Sequence, residues 1–400
     1  MENVSRTLTA TFHLTHNCNI RCGYCYTGAK FGVGMSDETA EEAVRFCLRE
    51  AGGQRADLLE TVFFGGEPLL RRDLLCRIAD RFLGTSKDFE VTFKMSTNGL
   101  LLTEDVVRDL ARRRVYVSLS VDGEPEVQDR QRPDALGRGT SDRLAPAIRR
   151  LLEWNPCANA NCVITPGSAD RVDRSVQWLY RRGFAYVSTT LDYGADWSPD
   201  DLRKLKAAYE RLAEWYLRMT VDGRKFYLSC FDEKIRTRTR GPLDRSERCS
   251  LGYRQFSIAP SGRLYPCVQF VREDAGDEYA IGDVRSGFDE TRRGRVFGCA
   301  EEDKPECGGC ALLPRCASWC ACVNWQSTGR IDRASPLVCE HDRILMPIAD
   351  GVANRLWKRR NPLFIHKHYN TAFPVLNFME DVIVREKRHE EASRASGEAR

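Results

Sequence analysis

The sequence predicts an α/β protein, a partial (β/α)6 barrel of TIM type, followed by a smaller cysteine-rich domain. Three observations predict it. Six strand-like segments each precede a helix-like segment between residues 7 and 219, the alternation that produces a parallel sheet covered by helices. Six such units are too few for a closed eight-stranded barrel. Near residue 236 the texture changes, and nine of the 17 cysteines fall between 249 and 339.

Taken in order, residues 7–14 (TLTATFHL) read as a short strand running into the first cysteines. Further strands are read at 60–64, 90–95, 115–121, 160–164 and 185–191, and helices at 37–51, 71–84, 103–113, 143–154, 170–182 and 198–219. The first helix opens at Ser36-Asp37-Glu38 and the last at Ser198-Pro199-Asp200, each a capping residue followed by early acidic groups. Thr, Arg, Gly and Pro dominate 236–247, and after 249 the strand signals QFSIAP and RLYPCVQF flank a turn at Pro260-Ser261-Gly262. Residues 342–357 read as a helix interrupted by Pro347, and the charged tail from about 385 as disordered. The expected domains are therefore 1–235, 236–345 and a C-terminal helix with tail at 346–400.

With 42% hydrophobic and 30% charged residues over 400 positions, the chain reads as a soluble globular protein. No apolar run approaches the roughly 18 residues of a membrane span, and the N-terminal MENVSRTLTATFHLTH lacks the apolar core of a signal peptide. A cytoplasmic protein is expected. Lys+Arg 61 against Asp+Glu 57 gives a net charge of +4, too even to argue for a nucleic-acid partner. Seventeen cysteines in such a chain do not read as a disulfide framework, and the count is odd besides.

Cys18, Cys22 and Cys25 have the spacing C-x3-C-x2-C. Zinc usually takes C-x2-C pairs with a fourth ligand nearby, for which His13 or His16 would be proposed. Three thiolates on one short loop suit instead a four-iron cluster that keeps one iron open. The loop follows the first strand of an α/β domain, at the carboxyl ends where such sheets bind ligands. With Tyr24 before the last cysteine, the motif resembles the signature of the radical S-adenosylmethionine (SAM) enzymes. The resemblance implies a [4Fe-4S] cluster on Cys18, Cys22 and Cys25 whose open iron binds S-adenosylmethionine and generates a hydrogen-abstracting radical.

Later strand ends extend the resemblance. Gly65-Gly66-Glu67-Pro68 resembles the motif for the methionine amino group, where glycines admit a close backbone and a carboxylate suits an ammonium. Ser96 and Asn98 in Ser96-Thr97-Asn98-Gly99 resemble a ribose-contacting segment. Ser120 in Ser120-Val121-Asp122-Gly123 and Arg132 resemble the pair that holds the methionine carboxylate, with Arg130 as a rival for Arg132. Asn161 and Ile164 fall where the family packs adenine.

The second cysteine group reads Cys249-x12-Gly262-x4-Cys267, then Cys307-x2-Cys310-x5-Cys316-x3-Cys320, with Cys339 18 residues on. It resembles the seven-cysteine signature of the SPASM-type C-terminal domain. Paired zinc knuckles would need C-x2-C twice, and only one occurs. The resemblance implies two auxiliary four-iron clusters, making three in all. The farther takes Cys307, Cys310, Cys316 and Cys339, and the nearer takes Cys249, Cys267 and Cys320. The nearer cluster's fourth ligand stays open among Cys230, Cys299 and Cys322. Cys47, Cys76 and Cys162 read as small buried hydrophobes, and His366 and His368 as ordinary surface or core residues.

Members of this group mostly modify peptides or proteins. Sulfatase maturases carry an aspartate base after the cysteine that follows the glycine, whereas Cys267 is followed by Val268 and Gln269. A general base must lie within hydrogen-bond reach of its proton, so Asp232 or Glu233 would have to substitute. The expected function is therefore a peptide maturase that installs a crosslink, carbon–carbon or thioether, in a ribosomally made precursor. The alternatives are a sulfatase-type maturase and, from another class, an iron–sulfur electron carrier or zinc-binding protein. Expected partners are the precursor peptide, a flavodoxin- or ferredoxin-like electron donor and, since the chain begins close to its first strand, a separate leader-binding protein or the apolar segment 351–384.

Overall fold

The structure is a computed structural model that describes residues 6–85, 88–242 and 248–395. Its first half alternates as expected: β1 (Thr7–His13), α1 (Asp37–Gly53), β2 (Leu58–Phe64), α2 (Arg72–Leu83), β3 (Glu90–Thr97), α3 (Glu104–Arg112) and β4 (Val115–Ser120). A short α4 (Pro125–Gln131), which sequence periodicity did not indicate, precedes α5 (Ser141–Trp154). Then come β5 (Asn159–Ile164), α6 (Val172–Arg181), β6 (Tyr186–Leu191) and α7 (Pro199–Val221). Local chemistry sets the helix starts. The Ser36 hydroxyl accepts from Thr39 N at α1, and Ser198 with Asp201 forms a reciprocal capping box at α7.

The chain continues through β7 (Tyr227–Leu228) and α8 (Ser229–Thr239), so the boundary expected at 235 falls inside a helix. The cysteine-rich part holds β8 (Gln255–Ile258), β9 (Arg263–Tyr265), β10 (Gly282–Asp283), β11 (Gly287–Phe288), α9 (Glu290–Glu301) and α10 (Ala321–Thr328). Three helices end the chain: α11 (Pro336–Lys358), α12 (Pro362–Tyr369) and α13 (Phe373–Ala395). Pro347 lies inside α11 without ending it. The segment expected to lose structure from about 385 is helical as far as Ala395, its Ala, Glu, Arg and Lys being good helix formers with no Gly or Pro among them.

All strands join one sheet in the order β11-β10-β9-β8-β1-β2-β3-β4-β5-β6-β7. From β1 to β7 every neighbouring pair is parallel, which makes the partial barrel. On the other edge β8 pairs parallel with β1, Thr9 opposite Gln255 through Phe12 opposite Ile258. The cysteine-rich part is thus a continuation of the same sheet. Phe46 of α1 packs edge-on against Phe256 and Phe288, tying the seam from the helix side. At the opposite end of β6 and β7, α12 and α13 close over a cavity of about 470 Å³ lined by Tyr186, Tyr216, Tyr227 and Lys367. No helix among the described residues is long and apolar enough to cross a membrane.

Candidate active site

The carboxyl ends of β1 to β5 surround a pocket of about 830 Å³. Cys18, Cys22 and Cys25 stand on the loop after β1, and all three line it. That loop is held by its neighbour. Gly66 N–H donates to Thr15 O at 2.8 Å and Glu67 N–H to Asn17 O at 2.9 Å. The approach is too close for a side chain: a Cβ on Gly66 would stand 2.1 Å from Asn17 O. Gly65 has φ +133°, and a Cβ there would stand 2.5 Å from Thr15 O. The two glycines therefore serve the cysteine loop as well as opening the pocket.

Glu67 is 1% exposed, and its carboxylate accepts from Leu69 N, the Thr97 hydroxyl and Asn98 N at 3.1, 2.7 and 2.9 Å. Burial pushes its carboxyl up to about 7, with the three donors working the other way. It thereby ties the β2 and β3 ends together while still facing the pocket. Asn98 donates to Asn19 Oδ1 at 2.7 Å and sits 3.9 Å from the Cys18 sulfur. Ser96 and Ser120, on adjacent strands, bring their hydroxyls to 3.4 Å.

Arg132, Tyr24 and Asp122 form the densest polar contact. Arg132 Nε and Nη2 donate to the two Asp122 oxygens at 3.0 and 3.1 Å, and Nη1 lies 3.8 Å from the Cys22 sulfur. The Tyr24 hydroxyl donates to Asp122 Oδ2 at 2.7 Å, with the guanidinium 5.2 Å from the centre of its ring. Gln131 Nε2 and Val163 N complete five donors on one carboxylate, at 2.8 and 3.0 Å. Burial works against the Arg132 charge, but Asp122, Tyr24 and Cys22 outweigh it and raise the guanidinium pKa. Arg130 is exposed and donates to Gly167 O, so Arg132 alone of the two reaches the pocket.

Side-chain parity decides the last expected contact. Asn161 and Val163 line the pocket, whereas Ile164 points to the opposite face of β5 and is 2% exposed in the core. Successive strand residues face opposite ways, so Ile164 does not reach the pocket, while its neighbour Val163 does. Sequence reasoning also missed Asp122, although it ends the strand motif from which Ser120 was chosen, and Tyr26, Thr27 and Lys30, which line the pocket beside Cys25. The Thr27 hydroxyl lies 3.2 Å from the Cys25 sulfur. At Cys25 burial is outweighed by Thr27 and the Lys30 ammonium, which hold the thiol below its ordinary value. At Cys22 burial pushes the thiol up to about 11 against Arg132.

The arrangement fits a cluster better than a single ion. Tetrahedral zinc would place its sulfurs about 3.8 Å apart. Among the described residues the only three metal-ligating side chains within 4.8 Å of one another are Cys299, Glu302 and Asp332, outside both cysteine sets. His13 is buried against Phe64, its ring pKa lowered to about 3 by burial, and His16 stacks on Phe31 at 4.5 Å. Neither lines the pocket. Cys307, Cys310, Cys316 and Cys339 line a second, smaller cavity of about 360 Å³. Cys249 is in electrostatic contact with Cys267 and Cys320. Asp232 turns away from the pocket, toward Lys367 and His368 on α12, and Glu233 bonds the Tyr227 hydroxyl.

Comparison with known proteins agrees with this geometry. Residues 12–208 match the family model described as the Radical SAM superfamily. The cysteine-type anaerobic sulfatase-maturating enzyme of Clostridium perfringens (strain 13 / Type A) is 24% identical over 332 residues, covering 76% of this chain and 85% of its own. The PqqA peptide cyclase of Granulibacter bethesdensis is 23% identical over 360 residues, covering 84% and 88%. Among solved structures, native anSMEcpe with bound AdoMet superposes with a TM-score of 0.70 at 21% identity, over 87% of this chain and all of that one. Streptococcus suis SuiB bound to precursor peptide SuiA gives 0.56 at 17% identity, over 83% and 76%. Residues 12–208 are a radical SAM domain.

Proposed function

We propose that the protein is a peptide maturase that takes a hydrogen atom from a residue of a ribosomally made precursor and closes a carbon–carbon or thioether crosslink. The observation that carries the reading is the convergence of two further cysteine sets beyond the radical SAM domain, one of them around its own cavity. A simple hydrogen abstraction needs no such sets. Crosslinking removes a second electron, as oxidation to an aldehyde also does, and benefits from an acceptor. The relatives are named for peptide and protein maturation, and one solved neighbour holds a precursor peptide.

When bound, the cluster on Cys18, Cys22 and Cys25 with S-adenosylmethionine supplies the hydrogen-abstracting radical. The chain's own residues do the rest. The Gly65-Gly66 backbone and the Glu67 side chain line the pocket, where they would meet an ammonium group. Arg132, neutralised by Asp122, keeps Nη1 free of that carboxylate and turned to Cys22, where it can meet an anionic group. Ser96, Ser120 and Asn161 offer neutral hydrogen bonds along the strand ends, and Val163 and Phe64 wall off water.

Sulfatase-type oxidation is the second reading, favoured by the similarity to the C. perfringens enzyme. Against it, Val268 and Gln269 follow Cys267, and Asp232 faces α12 with its charge already paired. The segment 351–384 as a leader-binding site is supported by the exposed apolar side chains of Val375, Leu376 and Met379. A leader held there would start at the strand ends opposite the pocket and run around the barrel. A cytoplasmic setting and a flavodoxin- or ferredoxin-like donor belong to the same reading.

Three four-iron clusters predict about 12 iron and 12 sulfide per chain, falling to about eight when Cys18, Cys22 and Cys25 become alanine. Incubation with a candidate precursor encoded nearby, then mass spectrometry, separates the two chemistries. A loss of two hydrogens with no hydrazine-reactive aldehyde supports a crosslink. An aldehyde supports the sulfatase reading. Zinc in place of iron, or no 5′-deoxyadenosine after reduction with S-adenosylmethionine, refutes both.

A further inference from the structure

The cavity of Cys307, Cys310, Cys316 and Cys339 is also lined by Asp342, a charge that neither the radical chemistry nor the cysteine ligands account for. Asp342 stands three residues after Cys339 on α11, so the two side chains lie on one face of the helix. Its side chain is 3% exposed, and Oδ1 takes the ammonium of Lys234, on α8, at 2.6 Å. Oδ2 is buried and has no hydrogen-bond partner. Buried polar atoms are almost always satisfied, so a bare one on a cavity wall points to what the cavity holds. The other charged side chains of the lining, Glu306 and Arg343, are tied to Arg333 and Glu340 in exposed pairs at 2.5 Å. The surroundings of Asp342 are braced as well. Arg315, the residue before Cys316, donates to Asp350 on α11 at 2.8 and 2.9 Å and to Lys234 O on α8 at 3.0 Å. The cysteine loop, α8 and α11 are thus held in one arrangement around the carboxylate.

We propose that Asp342 sets the reduction potential of the farther auxiliary cluster, with its bare oxygen turned to the cluster and Lys234 behind it. The inference rests on the auxiliary-cluster reading above and deepens it. Net charge, hydrogen bonds and solvent exposure decide where an iron–sulfur cluster falls in its wide range of potentials. Adding an electron beside a carboxylate is opposed by the like charge, and more so away from water. The carboxylate therefore holds the potential down. Lys234 does not line the cavity, so its compensating charge acts on the cluster from farther away. It serves to keep a charge in a buried place, since buried charges are paired. Cys310, by contrast, is exposed and brings the same cavity to the surface. A cluster with an anion on its buried side and solvent on the other gives an electron up more readily than it stores one. That suits a relay: the farther cluster gains one electron as the nearer is reoxidised, and loses it as an oxidised ferredoxin- or flavodoxin-like carrier at the surface is reduced.

The test uses the full chain, reconstituted without oxygen, with Cys18, Cys22 and Cys25 all changed to alanine so that only the auxiliary signals remain. About eight irons should be present. Reductive titration with mediators, followed by EPR, gives a midpoint for each auxiliary cluster. Asp342→Asn keeps the size of the side chain and removes its charge, whereas Asp342→Glu keeps the charge. The expected result for Asp342→Asn is an upward shift of one midpoint, with the other midpoint and the iron content unchanged. Asp342→Glu is expected to stay closer to the parent than Asp342→Asn does. Should Asp342→Asn hold fewer irons than the parent, Lys234→Met carries the test. It leaves the carboxylate without its cation, and the same midpoint is expected to fall. An Asp342→Asn midpoint unmoved or lowered, equal shifts for Asn and Glu, or a Lys234→Met midpoint that does not fall overturns the role of Asp342 while the clusters stand. A parent that holds zinc or no iron overturns the clusters themselves.

Discussion

Asp122→Asn is the sharpest test of the pocket. The carboxylate side chain is fully buried and its guanidinium partner 7% exposed. Oδ2 takes three donors, from Tyr24, Gln131 and Arg132, and Oδ1 takes two, from Arg132 and Val163. Asparagine keeps the shape but turns one of these oxygens into an NH2. At Oδ1 that group faces two donors, Arg132 and Val163, and at Oδ2 it faces Gln131 and Arg132 with only the Tyr24 hydroxyl able to turn and accept; in either place the buried Arg132 charge loses its counter-ion. Removing one partner of a buried pair costs about 3–5 kcal/mol. The expected loss is of that size in unfolding free energy by denaturant titration, together with at least tenfold weaker S-adenosylmethionine binding by equilibrium dialysis, since Arg132 and Tyr24 lose their anchor. The double variant Asp122→Leu/Arg132→Met removes both charges and is expected to recover much of the stability but none of the binding. A loss below about 1 kcal/mol for Asp122→Asn, the size of an ordinary neutral hydrogen bond, would refute the reasoning.

Other predictions follow from the same contacts. Gly66→Ala puts a methyl 2.1 Å from Asn17 O, so it should displace the cysteine loop and lower the iron retained by the protein in a colorimetric assay. Val163→Trp should fill the pocket and abolish S-adenosylmethionine binding, whereas Ile164→Val, on the far face of β5, should cost about 0.5–1.5 kcal/mol of stability and leave binding unchanged. Buried Asp232 is held below its ordinary value, where burial is outweighed by Lys367 and His368, and burial lowers His368 as well. The unfolded state then binds more protons at both groups, so the attachment of α12 is full above the unfolded His pKa of about 6.5 and weakens as pH falls below that and then below the unfolded Asp pKa of about 3.9. The hydrogen-exchange protection factor over residues 362–369, taken relative to the intrinsic rate at each pH, should fall with falling pH in the native protein, and Asp232→Asn should flatten the acid part of that profile.

The parallel barrel was legible because its information is local. Ser36 and Ser198 announce their helices by capping chemistry, and each strand carries its own apolar run. The cysteine spacings are local in the same way. What escaped is what distance along the chain hides. Asp122 gathers Tyr24, 98 residues before it, and Val163, 41 after it, and nothing near Asp122 in the sequence announces either. Ile164 rather than Val163 was chosen because a strand's register, which a one-residue shift inverts, is set by neighbours in space. β8 beside β1 joins residues more than 240 apart, which no periodicity can foretell.

That pairing of β8 with β1 bears on how the molecule can be taken apart. A fragment ending at residue 235 would keep every strand of the barrel yet leave one side of Thr9–Phe12 bare, its amides and carbonyls unpaired. Phe46 would lose both aromatic neighbours beside it. Such an edge is a template for the same edge of another copy. The half that carries the radical SAM domain is therefore expected to come out of cells as aggregate when expressed alone.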